Sequence, residues 1–319
     1  MSWPPDLSPV GDDEAMEPSL PGRRVDDGRI GRRALLVGAT GATALGTAGV
    51  ALGVPGVRHK LRTLSRPDPV PPHAIPRGPT GSVVTGSFAS AAMGRPIGWS
   101  VAYPAGSAPG TALSMLLVLH GRGDDHRAVL GGHALGAYLS GAVRSGVPPY
   151  ALVAVDGGDH SYWHRRSSGE DPQAMITAEL LPVLTRRGLR THRIGLAGWS
   201  MGGYGALLLA EHLGRARVAV VAVDSPALWT RAGDSAPGAF DGRGDFLAHD
   251  VIGQHAGLAG IPIRVTCGTS DPFLPGVRAF LRVVPGADQD LRPGAHNLAF
   301  WQYAAPAQLA FVGRHLAAA

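Results

Sequence analysis

The sequence is almost devoid of thiol and of lysine. Cys267 is the only cysteine in 319 residues, so no intramolecular disulfide can form. It falls in an apolar run and reads as a small core residue rather than a reactive thiol. Lys60 is the only lysine, which leaves the basic side of the composition almost entirely to arginine. The formal net charge of +5 is small for this length, and no basic stripe interleaves with aromatic residues. That excludes the usual electrostatic footprint of a nucleic-acid binder. Aromatic residues make up 6%, and no internal repeat is apparent. The 45% hydrophobic content still suffices for one large domain with its own core.

The N-terminal quarter is built differently from the rest. Residues 1–30 mix Pro, Asp, Glu and Gly with little apolar content and read as a disordered tail. In residues 31–57, Arg32-Arg33 stands directly before an uncharged stretch, Ala34 to Val57. This resembles a twin-arginine export signal, diluted in hydrophobicity by Gly and Thr. As a helix its 24 residues would reach about 36 Å, enough to cross a bilayer. With no clean A-x-A site at its end, a cleaved signal and a retained anchor are both open. Residues 58–80, with six prolines between Arg66 and Pro79, read as an extended linker. The folded domain is expected over 81–319.

Within that domain, apolar runs alternate with helical patterns. Val83–Ala92 and Ile97–Tyr103, separated by Met93-Gly94-Arg95-Pro96, predict an antiparallel entry hairpin. Met115–Leu119, Ala151–Val155, Ile194–Ala197, Val218–Val223 and Ile263–Cys267 predict short buried strands. Such alternation implies an α/β fold, a mainly parallel sheet covered by helices.

The stretch between the Ile194 strand and the Ala/Leu-rich helix expected over Met201–Leu213 is Gly198-Trp199-Ser200-Met201-Gly202-Gly203. It fits G-x-S-x-G in a strand–turn–helix context, where a tight turn lifts a serine hydroxyl above the sheet. Glycines two residues to either side leave room for that turn. An alcohol needs a histidine base, and the base needs a carboxylate to orient it. Among the histidines after Ser200, His212 lies in the elbow helix, His249 and His255 in an irregular region, and His315 in a C-terminal helix. His296, in the turn-rich Pro293-Gly294-Ala295-His296-Asn297, is left as the base. Asp271 follows the second strand after the serine and is the favoured acid; Asp224, at the end of the preceding strand, is the alternative.

Leu119-His120-Gly121-Arg122 follows the Met115 strand as a glycine-bearing loop. Its backbone N–H at Arg122, with that of Met201 at the helix start, is expected to face a developing oxyanion. Tyr162 and Trp163 lie in the Asp156–Asp171 loop after a strand end, where α/β folds bind ligands, and are expected on the substrate side with Trp301. Phe273, Leu274, Phe300 and Trp301 flank the acid and base, either as an apolar acyl or aryl wall or as simple core packing. Trp229–Gln254 is a candidate cap. No cofactor motif is present, and His120, Asp124, Asp125 and His126 lack a second cluster of metal-ligand spacing. The histidines and aspartates of the Asp156–Asp171 loop read as a solvated lip.

Taken together, Met93-Gly94-Arg95, Leu119-His120-Gly121, Gly198-Trp199-Ser200-Met201-Gly202-Gly203, Asp271 and Gly294-Ala295-His296 with Trp301 resemble the esterase D/mycolyltransferase group of α/β-hydrolases. That group includes feruloyl-esterase-like and polyhydroxybutyrate-depolymerase-like enzymes, and the similarity spans about residues 82–316. Ser161-Tyr162-Trp163 resembles a substrate-side loop found there. The resemblance implies a serine esterase of small-molecule or lipid or sugar esters. Acyl transfer to a sugar or lipid alcohol and a noncatalytic envelope-binding role are the alternatives. Mycolyl-transferring relatives commonly carry glutamate as the acid, so an aspartate at 271 leans toward hydrolysis.

Overall fold

The computed structural model describes Val70 and residues 74–319. The tail, the twin-arginine-like segment and most of the linker lie outside the described residues. Among the described residues no helix is long and apolar enough to cross a membrane.

Eight strands form one sheet in the order β1-β2-β4-β3-β5-β6-β7-β8. They are β1 (Val83–Ser90), β2 (Arg95–Ala102), β3 (Ser114–Leu119), β4 (Ala151–Val155), β5 (Arg190–Trp199), β6 (Val218–Asp224), β7 (Ile263–Gly268) and β8 (Asp288–Arg292). The entry hairpin β1–β2 is antiparallel, β2 joins β4 antiparallel, and all remaining pairs are parallel. The central strands are apolar on both faces because helices cover both. One face carries the helix after the serine, α4 (Met201–Arg217), and α6 (Leu274–Val283); the other carries α2 (Leu135–Arg144) and α7 (Leu298–Ala317). Short α1 (His126–Leu130) precedes them in sequence, and α3 in three pieces (Pro172–Ala174, Met175–Leu180 and Leu181–Arg186) and α5 (Arg243–Ala248) lie between them.

Two differences from the sequence reading have physical reasons. Strand β5 begins at Arg190 rather than Ile194, because Arg190 pairs with Ser114 ahead of a register shift. Strand β8 has a charged sequence, DQDLR, without apolar alternation. It forms because Arg264 of β7 binds Asp288 and Asp290 across the ladder.

The register brings several strand ends level. Leu119 lies beside Gly198, Trp199 beside Asp224, and Gly268 beside Arg292. The loops carrying residues 120–122, 200, 225 and 271 therefore leave the sheet at one edge, the ligand-binding edge of α/β folds.

Behind that edge, between α7 and the sheet, His133, Trp199, Asp224, Trp301 and Gln308 line a cavity of about 30 Å³. Burial raises the Asp224 carboxyl to about 7, against hydrogen bonding from Gln308 and the nearby Arg264. Burial likewise lowers His133 to about 4. An aspartate whose folded pKa exceeds its unfolded one stabilises the fold most when protonated, and that contribution fades as pH rises from about 4 through about 7. His133 acts in the opposite sense: its contribution is complete above about 6.5 and fades as pH falls through about 4. Asp224→Asn, which keeps the Gln308 bond but cannot ionise, is expected to raise the melting temperature at pH 8 by roughly 3–6 °C and to leave it nearly unchanged at pH 4. A lower melting temperature at pH 8 by scanning calorimetry would contradict this account.

Candidate active site

The serine sits where β5 turns into α4. Ser200 adopts φ 53°, ψ −119°, a conformation that non-glycine residues adopt only under external constraint. The constraint is backbone crowding. A Cβ at 202 would lie 1.9 Å from the Leu119 carbonyl oxygen, and one at 198 would lie 2.4 Å from that of Gly202. The turn is also pinned by hydrogen bonds from Ser200 N–H to the Asp224 carbonyl (3.1 Å) and from Ala227 N–H to the Ser200 carbonyl (2.9 Å).

His296 Nε2 lies 2.9 Å from Ser200 Oγ, and His296 Nδ1 lies 2.9 Å from Asp271 Oδ2. With the carboxylate accepting from Nδ1–H, Nε2 is left to accept the serine proton. The Asp271 side chain is fully enclosed, and its other oxygen accepts from Phe273 N–H at 2.8 Å. The histidine loop rests on the acid loop. Ser270 N–H donates to the Gly294 carbonyl, and a Cβ at 268 would lie 2.4 Å from that same oxygen. Asn297 then caps α7 by accepting from Phe300 N–H at 3.0 Å. The structure thus brings Asp271 to the histidine. Asp224 instead accepts from Gln308 Nε2 at 2.7 Å.

Met201 opens α4, so its N–H has no acceptor within the helix. Arg122 follows the His120-Gly121 peptide, which three hydrogen bonds hold in place. His120 Nδ1–H donates to the Gly121 carbonyl (2.8 Å), Gly157 N–H donates to His120 Nε2 (3.0 Å), and Trp163 Nε1–H donates to the His120 carbonyl (3.2 Å). This pattern requires a neutral imidazole. Burial accordingly holds His120 below its usual pKa, against the pull of the Gly121 carbonyl.

Trp163, expected on the substrate side, is entirely buried. Its side chain fills the space over Gly157 and Gly205, where an added Cβ would come within 2.3 Å of the ring and 2.4 Å of the Trp163 Cβ. It is a wedge between the loop after β4 and the helix after the serine, and its sequence position alone did not separate lining from wedging. Tyr162 is also enclosed, at 3% exposure, with its ring among Tyr204, Trp229 and Phe240. Burial pushes its phenol upward while the nearby Arg122 guanidinium pulls it back. Both corrections share a cause: Tyr162 and Trp163 take positive φ (48° and 57°), which turns the chain inward. Trp301 does reach the site, its ring perpendicular to His296 at 5.0 Å, and Phe273 meets the same imidazole at 5.1 Å. Phe300 is buried against Gly294, and Leu274 lies in the core, so neither forms a wall. His120, Asp124, Asp125 and His126 do not converge, since His120 bonds to its own loop, Asp124 accepts from Trp199 and His126 from or to Ser100.

A family model described as "Putative esterase" matches residues 90–305. The chain belongs to this esterase family. It is an esterase with the α/β-hydrolase fold, a mostly parallel sheet flanked by helices. No curated protein matches it. Similar solved structures include a ferulic acid esterase (20% identity, 73% of this chain and 98% of that one, TM-score 0.64). An S-formylglutathione hydrolase from Agrobacterium tumefaciens is also similar (16% identity, 74% and 96%, TM-score 0.61). So is MPT51 (FbpC1) of Mycobacterium tuberculosis (20% identity, 74% and 99%, TM-score 0.58).

Trp163→Phe removes one hydrogen bond from the His120-Gly121 peptide and keeps most of the wedge. The expected result is a fall in kcat of about fivefold to tenfold with little change in KM, because a misplaced donor is felt in the transition state. Steady-state kinetics showing only a KM effect would return Trp163 to a substrate-contact role.

Proposed function

We propose that Ser200, His296 and Asp271 are the nucleophile, base and orienting acid of this esterase, with the backbone N–H groups of Arg122 and Met201 as oxyanion donors. The observation that carries the proposal is the unbroken chain Ser200 Oγ–His296–Asp271, with 2.9 Å at each step, on a strained strand-to-helix turn. Ser200 Oγ attacks the ester carbonyl as its proton passes to His296 Nε2. The tetrahedral oxyanion collapses, the alcohol leaves with that proton, and an acyl-enzyme remains. Water then attacks, giving its proton to His296, and the acid is released as Ser200 is reprotonated. Asp271 stays ionised and stabilises the imidazolium formed in each half.

The ester we propose carries an apolar or aryl group beside the histidine. Phe273 and Trp301 flank His296 on two sides, and Trp229 continues the wall at 5.4 Å from Phe273. The similar ferulic acid esterase fits that reading. Transfer of the acyl group to a sugar or lipid alcohol would share the intermediate, and adding such alcohols to the assay separates it from hydrolysis. Ser200→Ala is expected to abolish both turnover and labelling by a fluorophosphonate, with the fold intact. Asp271→Asn is expected to lose about 10⁴-fold in kcat, by analogy with serine proteases. Labelling of a folded Ser200→Ala protein would place the nucleophile elsewhere.

We also propose that the enzyme is exported, through the Arg32-Arg33 pair and the uncharged stretch behind it. Arg32→Lys with Arg33→Lys is expected to retain the protein on the cytoplasmic side in cell fractionation. Unchanged export would leave an ordinary secretory signal or anchor instead.

A further inference from the structure

Where the 156–171 loop meets the 229–254 segment, His164, Asp245 and His249 bring one ligand atom each within 4.8 Å of one another. Asp245 Oδ1 is 2.9 Å from His249 Nδ1 and 3.7 Å from His164 Nδ1. His164 is fully enclosed, which corrects its reading as part of a solvated lip, while Asp245 and His249 are partly open to solvent.

The surroundings of His164 are what call for a cation. Its Nε2 faces the Ala239 carbonyl at 3.1 Å, and its Nδ1 faces the Arg165 carbonyl at 3.0 Å as well as the Asp245 carboxylate. All three partners are acceptors. A neutral imidazole has one N–H, so one nitrogen would oppose its lone pair to theirs. A second proton would satisfy both nitrogens at the cost of an enclosed imidazolium. A metal ion at Nδ1 would use the lone pair and leave Nε2–H donating to Ala239, the usual support of a ligating histidine. Asp245 is held in the same manner. Its Oδ2 accepts from Asp241 N–H at 2.7 Å, which leaves Oδ1 turned toward the two rings. His249 lies one helical turn beyond Asp245, at the end of α5, and Tyr204 O–H fixes its carbonyl at 2.8 Å.

We propose that His164, Asp245 and His249 form a binding site for a borderline divalent ion of the Zn²⁺ class, completed by water and separate from the triad. Two imidazoles and one carboxylate suit Zn²⁺, whereas Ca²⁺ and Mg²⁺ favour all-oxygen shells. As placed, the two rings stack at 4.3 Å with 28° between their planes. His249, the more open of the two, therefore has to turn so that both lone pairs converge on an ion about 2.0–2.1 Å from each nitrogen. The ion would clip together two segments that flank the cleft. His164 is two residues from Tyr162, and Phe240 of the 229–254 segment stacks on the His164 ring at 5.3 Å.

The test uses the untagged chain, stripped with a chelator and titrated with Zn²⁺ and, separately, Co²⁺. One equivalent of each is expected to bind, with the visible absorption of four-coordinate Co²⁺ and a rise in melting temperature on adding Zn²⁺. His249→Ala and Asp245→Asn, both at the open side of the site, are each expected to weaken binding at least about tenfold. Absence of stoichiometric binding by either ion would overturn the site, as would binding unaltered in both variants. So would ¹⁵N spectra showing His164 protonated at both ring nitrogens in the presence of Zn²⁺, which would assign its place to a second proton.

Discussion

Everything at the catalytic edge depends on how closely three stretches of backbone approach one another. The start of α4 lies against the carbonyl groups of Leu119 and His120, and Gly202 has no Cβ because those oxygens occupy the place where it would be. That contact holds the serine turn in place and brings the loop after β3 up against the start of α4. A helix N-terminus is electropositive, so the geometry that strains Ser200 also places it where negative charge is stabilised. The strain is maintained by the many buried contacts of β3, β5, β6 and α4, which greatly outnumber the few residues under tension.

Two histidines serve this edge in opposite ways. His296 has one nitrogen directed to a carboxylate and the other to a serine hydroxyl, which can exchange a proton with it. His120 has both nitrogens committed to backbone groups, one as donor and one as acceptor, so its inventory is fixed. The first is suited to moving protons. The second is suited to holding a peptide still, and Trp163 reinforces it from the other side.

The sheet and the Ser200 turn were legible because they are encoded locally, and His296 because the other histidines after Ser200 fall in helices or irregular chain. Runs such as Met115–Leu119 can only be buried strands, and the glycines around Ser200 announce a turn that no bulky residue permits. The choice between Asp271 and Asp224 needed three dimensions. Asp224 ends a strand and Asp271 closely follows one, and only packing shows that Gln308 from α7 occupies the Asp224 carboxylate while the histidine loop lies on Asp271. Strand β8 escaped the apolar pattern because its stabilisation comes from charge pairs with a neighbouring strand. Tyr162 and Trp163 misled for a related reason: loop aromatics read as surface, yet two consecutive positive φ angles bury them. The Asp156–Asp171 histidines read as solvated for want of any local sign that the 229–254 segment closes over His164.

The placement of β8 at the border of the sheet has one more implication. It has a single strand neighbour, and the histidine loop hangs from its end before α7 begins. Ser200, by contrast, is anchored between central strands. Peripheral strands open more readily than central ones in native proteins. His296 is thus suspended from the rim of the sheet while Ser200 is set in its keel. If the last tenth of the chain, from β8 on, frays first, mild denaturant will displace the His296 loop while most of the sheet is still standing.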